Sequence, residues 1–160
     1  MTVDKFVVVT PVYEDKTSAR RLFKELAVQF GERIYVVAVD DGSVHEPVDS
    51  SWLAEAGAQG CVLTLGQNVG HQKAIAIGIC YAAENFPDMP VLTIDSDGED
   101  MPETVHHLIN VLCDKTDVVV AKRMKRVETA KFKIFYAIYK MVFKLLTGRT
   151  IDFGNFAFYS

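Results

Sequence analysis

The chain has 160 residues, 49% of them apolar and 11% aromatic, which suits one globular core and excludes a disordered segment. Cys61, Cys80 and Cys113 are isolated and lack CxxC spacing, so a zinc site is excluded and a reducing, cytoplasmic compartment is expected. The net charge of −4 hides a split, because residues 1–121 carry 8 basic and 19 acidic side chains whereas residues 122–149 carry 9 basic ones and only Glu128 acidic.

In chain order, strands and helices alternate. Met1-Thr2-Val3-Asp4-Lys5 runs straight into the β-branched stretch Phe6-Val7-Val8-Val9-Thr10, so a buried strand is expected there and a signal peptide is not. Apolar positions 19, 22, 23, 26, 27 and 30 predict a helix over Thr17–Phe30, ended by Gly31. Ile34–Val39 reads as a second buried strand that closes on Asp40-Asp41-Gly42-Ser43. A short helix near Val48–Ala56, a strand over Cys61–Leu65 and a helix from His71 to Ala83 follow, the last opened by Gly66-Gln67-Asn68-Val69-Gly70. Val91–Ile94, Pro102–Cys113 and Val118–Ala121 complete the pattern as strand, helix and strand. This alternation predicts a doubly wound, mostly parallel α/β sheet with helices on both faces. No stretch of eighteen apolar residues is present, so no membrane span is expected.

The polar clusters follow strands. Pro11-Val12-Tyr13-Glu14, Asp40–Ser43, Gln67–Gly70 and Asp95–Glu99 each stand at a strand's carboxyl end, where open α/β sheets bind ligands. Asp95-Ser96-Asp97-Gly98-Glu99 packs three carboxylates into five residues, and a hard cation such as Mg²⁺ or Mn²⁺, shared with substrate phosphates, relieves their repulsion. The alternative is an acidic turn capping the next helix, a task open to Asp100. An EF-hand is excluded, since its required Gly and Glu would fall on Asp100 and His106. Asp-Gly-Ser is also a good turn sequence, but a second adjacent Asp exceeds what a turn needs, and a carboxylate can accept from a nucleobase N–H. Asn68 and Gly70 either supply turn conformations or expose backbone N–H groups to phosphate at a helix N-terminus. Lys73 either reaches that phosphate or is solvated, and His71 caps, packs or touches ligand. His106, His107 and Trp52 read as structural.

Taken together, Val8-Val9-Thr10-Pro11-Val12-Tyr13-Glu14, Val39-Asp40-Asp41-Gly42-Ser43, Asn68-Val69-Gly70 and Asp95-Ser96-Asp97 resemble the ordered motifs of family 2 glycosyltransferases with the GT-A fold. The run from Asp95 to Glu103, Arg123 after the fifth strand and the terminal Ile151-Asp152-Phe153-Gly154-Asn155-Phe156 are most similar to the polyprenyl-phosphate branch, which includes dolichol-phosphate mannose synthase. The resemblance implies a nucleoside pocket of Pro11, Tyr13, Glu14 and Asp41, with Asp41 accepting from the base. It implies Asp95 toward the ribose or sugar, Asp97 and Glu99 on the metal, and Arg123 on a phosphate. Asp40, Asn68, Gly70, Lys73 and Ser96 complete the set facing the nucleotide sugar, and Asp95, Asp97 and Arg123 form the catalytic set.

The expected donor is a UDP or GDP sugar and the expected acceptor a lipid phosphate, which needs cations rather than a general base. Lys122, Arg123 and Arg126, with Lys125, supply them. Residues 130–146 place Lys133, Lys140 and Lys144 on one helical face with aromatic and aliphatic side chains around the rest, a pattern for a membrane interface or a partner helix. These features imply a single catalytic domain over 1–160, cut from a longer protein, acting at the cytoplasmic face of a membrane, with no nucleic acid partner. The rival readings are transfer to a hydroxyl acceptor in cell-surface polysaccharide synthesis and a non-catalytic, receiver-like Mg²⁺-binding domain. A receiver domain would carry paired acids after the first strand, where this chain has Pro11-Val12-Tyr13. A sugar-phosphate nucleotidyltransferase would carry a glycine-rich basic loop there.

Overall fold

The computed structural model describes residues 3–112, 118–121, 145 and 154–160. The chain divides into two compact units, residues 1–120 with 155–160 and residues 121–154. The first unit holds every element described below. The basic residues Lys122, Arg123 and Arg126 and the amphipathic stretch 130–146, apart from position 145, lie outside the described residues.

Six strands form one sheet. β1 (Phe6–Val12), β2 (Ile34–Asp40), β3 (Gln59–Thr64), β4 (Val91–Thr93), β5 (Val118–Val120) and β6 (Ala157–Tyr159) stand in the order β3-β2-β1-β4-β6-β5. β1 pairs in parallel with β2 and β4, and β2 with β3, as continuous β-branched runs require when both sheet faces are covered. β6 enters antiparallel between β4 and β5, pairing Leu92 and Val119 with Phe158. The sequence pattern predicts the parallel part and not this insertion.

Among the described residues the α-helices are α1 (Lys16–Phe30), α2 (Ser51–Ala56), α3 (His71–Asn85) and α4 (Val105–Val111). Asp15 caps α1, its Oδ1 accepting from the Ser18 N–H at 2.9 Å. The helix expected over Pro102–Cys113 begins instead as a tight 3₁₀ turn, Pro102–Thr104, before α4. Asp100 is buried just ahead of that turn, whose N-cap residue is Met101.

Successive side chains of a strand point to opposite faces, and β1 uses both. Val7 and Val9 join Val37, Val39, Ala74 and Ala82 on the α3 side. Phe6 meets Phe30 of α1 edge-on at 5.3 Å and Phe158 of β6 at 5.2 Å, on the other. Gly78 allows α3 its close approach, since a Cβ there would lie 2.4 Å from Val9 Cγ1. Phe6, Phe23, Leu26, Leu92 and Phe158 are fully buried, each contributing about 1.5–3 kcal/mol of hydrophobic stabilisation.

This strand order sets the site. From β1 the chain moves outward to β2 and β3, then returns to place β4 on β1's other side. The carboxyl ends of β1 and β4 therefore flank a topological switch point, where the crossovers diverge and leave a crevice.

Candidate active site

A cleft of about 270 Å³ opens at that switch point. Its walls come from four places in the chain: Pro11–Tyr13 with Asp15 at the end of β1, Asp41 after β2, Asn68 and Gly70 with His71 at the start of α3, and Asp95–Asp97 after β4. Ser96 Oγ donates to the Pro11 carbonyl at 3.0 Å, which locks the ends of β4 and β1 together beneath it.

The two neighbouring aspartates of β2 do different work. Asp40 is fully buried, its oxygens accepting from Ser43 N at 2.9 Å and Val48 N at 2.8 Å, so it folds its own loop and does not face the cleft. Asp41 lines the cleft, but its two oxygens accept from the N–H groups of Val69 at 2.7 Å and Gly70 at 3.0 Å. Those two N–H groups are directed at Asp41, which corrects the expectation that the 66–70 loop offers them to phosphate. Gly42 makes the approach possible, since at φ +75° a Cβ would lie 2.5 Å from the Gln67 carbonyl carbon.

Glu14, expected in the nucleoside pocket, curls away from it at φ 48°. Its carboxylate accepts from Val44 N at 2.7 Å, Glu46 N at 2.8 Å and His45 N at 3.1 Å, and these bonds, led by the one from Val44, hold its pKa below the usual glutamate range. Lys73 on the first turn of α3 and Glu99 on the outer side of the acidic turn are both exposed and outside the cleft wall.

Asp95 is the half-buried carboxylate at the end of β4, its side chain 16% exposed. Burial raises its pKa, and Asp100 and Asp97 push the same way, while His71 and a hydrogen bond from Asn155 oppose them. His71 Nε2 stands 3.1 Å from Asp95 Oδ1, an ion pair only when the ring is protonated, and among the described residues that oxygen has no partner with hydrogen-bond geometry. Asp97 is exposed at the cleft mouth, its Oδ1 accepting from the Glu99 N–H at 2.8 Å and its carbonyl from Arg21 at 3.3 Å.

Among the described residues no three acidic, His or Cys side chains stand close enough to hold a metal by themselves. The exposed carboxylates of Asp97 and Glu99 on one turn fit a hard divalent cation of the kind that keeps few protein ligands and completes its shell with substrate phosphates.

Residues 7–157 match the profile of glycosyl transferase family 2. The chain belongs to that family. This family 2 chain is similar to the undecaprenyl-phosphate 4-deoxy-4-formamido-L-arabinose transferase of Serratia proteamaculans (strain 568), at 28% identity over 158 residues, covering 95% of this chain and 47% of that protein. It spans about half the length of the curated relatives it matches, 46–48% for the first three. Its fold is similar to glucosyl-3-phosphoglycerate synthase from Mycobacterium tuberculosis, crystallised with Mn²⁺, UDP-glucose and phosphoglyceric acid (TM-score 0.67, 16% identity, 98% of this chain and 57% of that one). It is also similar to the mannosyltransferase PcManGT from Pyrobaculum calidifontis, crystallised with GDP-Man and Mn²⁺ (TM-score 0.61, 15% identity, 97% and 44%). The GT-A fold expected from the motifs is therefore the fold of this family 2 chain.

Asp15 and His71 line the cleft, and Asn155 contacts His71, without a settled role in the sequence reading. Asp15 carried only a helix-start signal, being a good cap ahead of Lys16. His71 was open between capping, packing and ligand contact, and it lines the wall. Asn155 reaches His71 from the far end of the chain, with Nδ2 2.8 Å from the ring Nε2, and no local pattern marks that contact.

Proposed function

We propose that this chain forms the donor-binding part of a metal-dependent glycosyltransferase that moves a sugar from a UDP or GDP sugar to a polyprenyl phosphate. The observation that carries the reading is the switch-point cleft of a family 2 chain, walled on one side by Asp95–Asp97 and on the other by the start of α3. The acceptor half draws on the likeness to a relative named as an undecaprenyl-phosphate transferase and on the basic run at Lys122, Arg123 and Arg126.

In this reading Pro11 and Tyr13 flank the nucleoside, with Tyr13 half exposed at the rim. Asp41 shapes the base pocket by holding Val69 and Gly70, and the remaining lone pairs of its oxygens face the base. Asp97 and Glu99 supply hard oxygens to Mg²⁺ or Mn²⁺, and α3 directs the positive end of its dipole from His71 toward the diphosphate. The cation, when bound, stabilises the charge that develops on the diphosphate as the sugar leaves. A lipid phosphate is already anionic and attacks without a base, so this chain's task toward it is to supply cations, among them Arg123. The work belongs at the inner face of a membrane, with residues 130–146 against its surface. Among the described residues no helix is long and apolar enough to cross a membrane.

The test is a thermal-shift screen of UDP and GDP sugars with and without Mn²⁺, since native-state ligands raise stability by mass action. Stabilisation that requires both nucleotide and metal is expected, and none with any nucleotide sugar overturns the reading. Transfer by the full-length protein to a hydroxyl acceptor, with none to undecaprenyl phosphate, overturns the acceptor half alone.

A further inference from the structure

β3 ends the sheet on one side, and among the described residues it pairs with β2 alone. The register sets Leu63 opposite Val39, and the Leu65 N–H donates to the Asp40 carbonyl at 2.9 Å. Backbone groups along a strand alternate in direction, so Cys61 and Leu63 turn theirs to β2 while Gly60, Val62 and Thr64 turn theirs outward. An outer row of this kind is a template for another strand, and sheets ordinarily blunt it with charge, proline or brevity. β5, at the far edge, has three residues and is followed in sequence by Lys122 and Arg123. β3 has six residues, none of them charged and none proline. It lies within the run from Ala56 to Gln72, the longest in the chain without Asp, Glu, Lys or Arg. On the α3 side Cys61 and Leu63, with Tyr35 and Tyr81, pack against the core yet stay partly exposed.

We propose that β3 is a self-association edge, on which a second copy of this chain pairs antiparallel about a two-fold axis at Val62. The edge is self-complementary in that arrangement. Val62 faces Val62 of the partner subunit and Gly60 faces Thr64 of the partner subunit, each a pair that exchanges two N–H···O bonds. Cys61 then falls opposite Leu63 of the partner subunit at a closer, non-hydrogen-bonded position, so the half-covered apolar margin of each copy covers that of the other. Charge selects the same place. Residues 1–121 carry 8 basic and 19 acidic side chains, so two copies repel over most of this surface, and the uncharged strand is where they meet at least cost. A two-fold pairing also closes on itself, leaving no β3 edge for a third copy.

The experiment is analytical ultracentrifugation of the 160-residue chain from micromolar to near-millimolar concentration, with amide hydrogen exchange read by NMR over the same range. A monomer–dimer equilibrium is expected, with exchange at the Gly60, Val62 and Thr64 N–H groups slowing as concentration rises. The Cys61 and Leu63 N–H groups, already directed to β2, should not change. Val62→Pro removes an outward N–H without touching a bond to β2, and edge strands accept proline at such positions. It should weaken association about tenfold or more, the effect of losing one hydrogen bond from each copy. If Val62→Pro fails to fold, the wild-type exchange pattern decides alone. A chain that stays monomeric throughout overturns the proposal, as does a dimer in which those three amides exchange at the monomer's rate. Protection that is the same at every concentration also overturns it, because a segment of the same chain then covers the edge. Growth beyond the dimer, or a folded Val62→Pro chain that dimerises like wild type, overturns the two-fold pairing at Val62.

Discussion

The carboxylate of Asp41 accepts from the backbone N–H of Gly70 at 3.0 Å and so ties the end of β2 to the start of α3. The bond spans 29 residues of sequence, and Val69 adds a second at 2.7 Å on the other carboxylate oxygen. One wall of the cleft depends on this single side chain.

Asp41→Ala should therefore cost stability as well as ligand affinity. The side chain is almost fully buried, and its removal leaves two N–H groups without their acceptor. A loss of about 1–3 kcal/mol is expected in denaturant unfolding. A wild-type midpoint with weakened nucleotide binding would assign Asp41 to the base alone.

Gly42→Ala attacks the same wall from the backbone. The left-handed φ costs an alanine about 1–3 kcal/mol, and the new methyl meets Gln67 and Asn68 backbone atoms within 2.6 Å. Thermal unfolding should show a lowered midpoint, and nucleotide affinity should fall because residues 67–70 are displaced.

Asp97→Ala should behave in the opposite manner. The side chain is exposed and, among the described residues, its hydrogen bond is to the Glu99 N–H, so the stability change should stay within the range of a surface substitution, about 0.5 kcal/mol. Metal-dependent nucleotide binding should disappear. Equal affinity with and without Mn²⁺ in wild type and variant would remove Asp97 from the metal.

Asp95→Asn should stabilise the chain at neutral pH while abolishing donor binding. Burial raises the Asp95 pKa in the folded state above the ordinary 3.8, so the native form binds the proton more tightly than the unfolded one. Stability then falls as pH rises from that ordinary value through the raised folded value, and the cost stays constant above both. The gain from Asn should be full at neutral pH and vanish below 3.8. A midpoint difference that does not change with pH would show that burial of the charge is not its source.

Glu14→Gln should speed amide hydrogen exchange at Val44, His45 and Glu46, whose N–H groups its carboxylate accepts. Here the sign is reversed. The lowered folded pKa means that the contribution is present above the ordinary glutamate value and is lost as pH falls through the lowered one. Wild-type exchange at those amides should accelerate in that acid range, while Glu14→Gln should show no such step.

The sheet's parallel part was legible because β1 and β2 are unbroken β-branched runs joined by amphipathic α1, and no other architecture buries both faces so simply. The cleft was legible because its residues cluster at strand ends. Which residue of an adjacent pair faces the ligand was not: Asp40 and Asp41 are chemically identical, and only the alternation of side chains at the end of β2, fixed by pairing to β1 and β3, separates them. Glu14 misled for a related reason, since its fate depends on a loop 30 residues away whose N–H groups converge on it. Asn155 could not be found locally because its place follows from β6 running antiparallel beside β4, a matter of strand order.

Val120 and Ala157 are partners in the antiparallel pairing of β5 with β6, which brings their Cα atoms to within about 4.5–5.5 Å of each other. The chain thus leaves the sheet at the end of β5 and re-enters it beside that point at the start of β6, so the two strands are joined as antiparallel neighbours. Such a connection is exchangeable: a descendant gene can lengthen, shorten or replace it without altering the pairing of any strand. The cleft at the ends of β1 and β4 and the connection between β5 and β6 can thus diverge independently of each other.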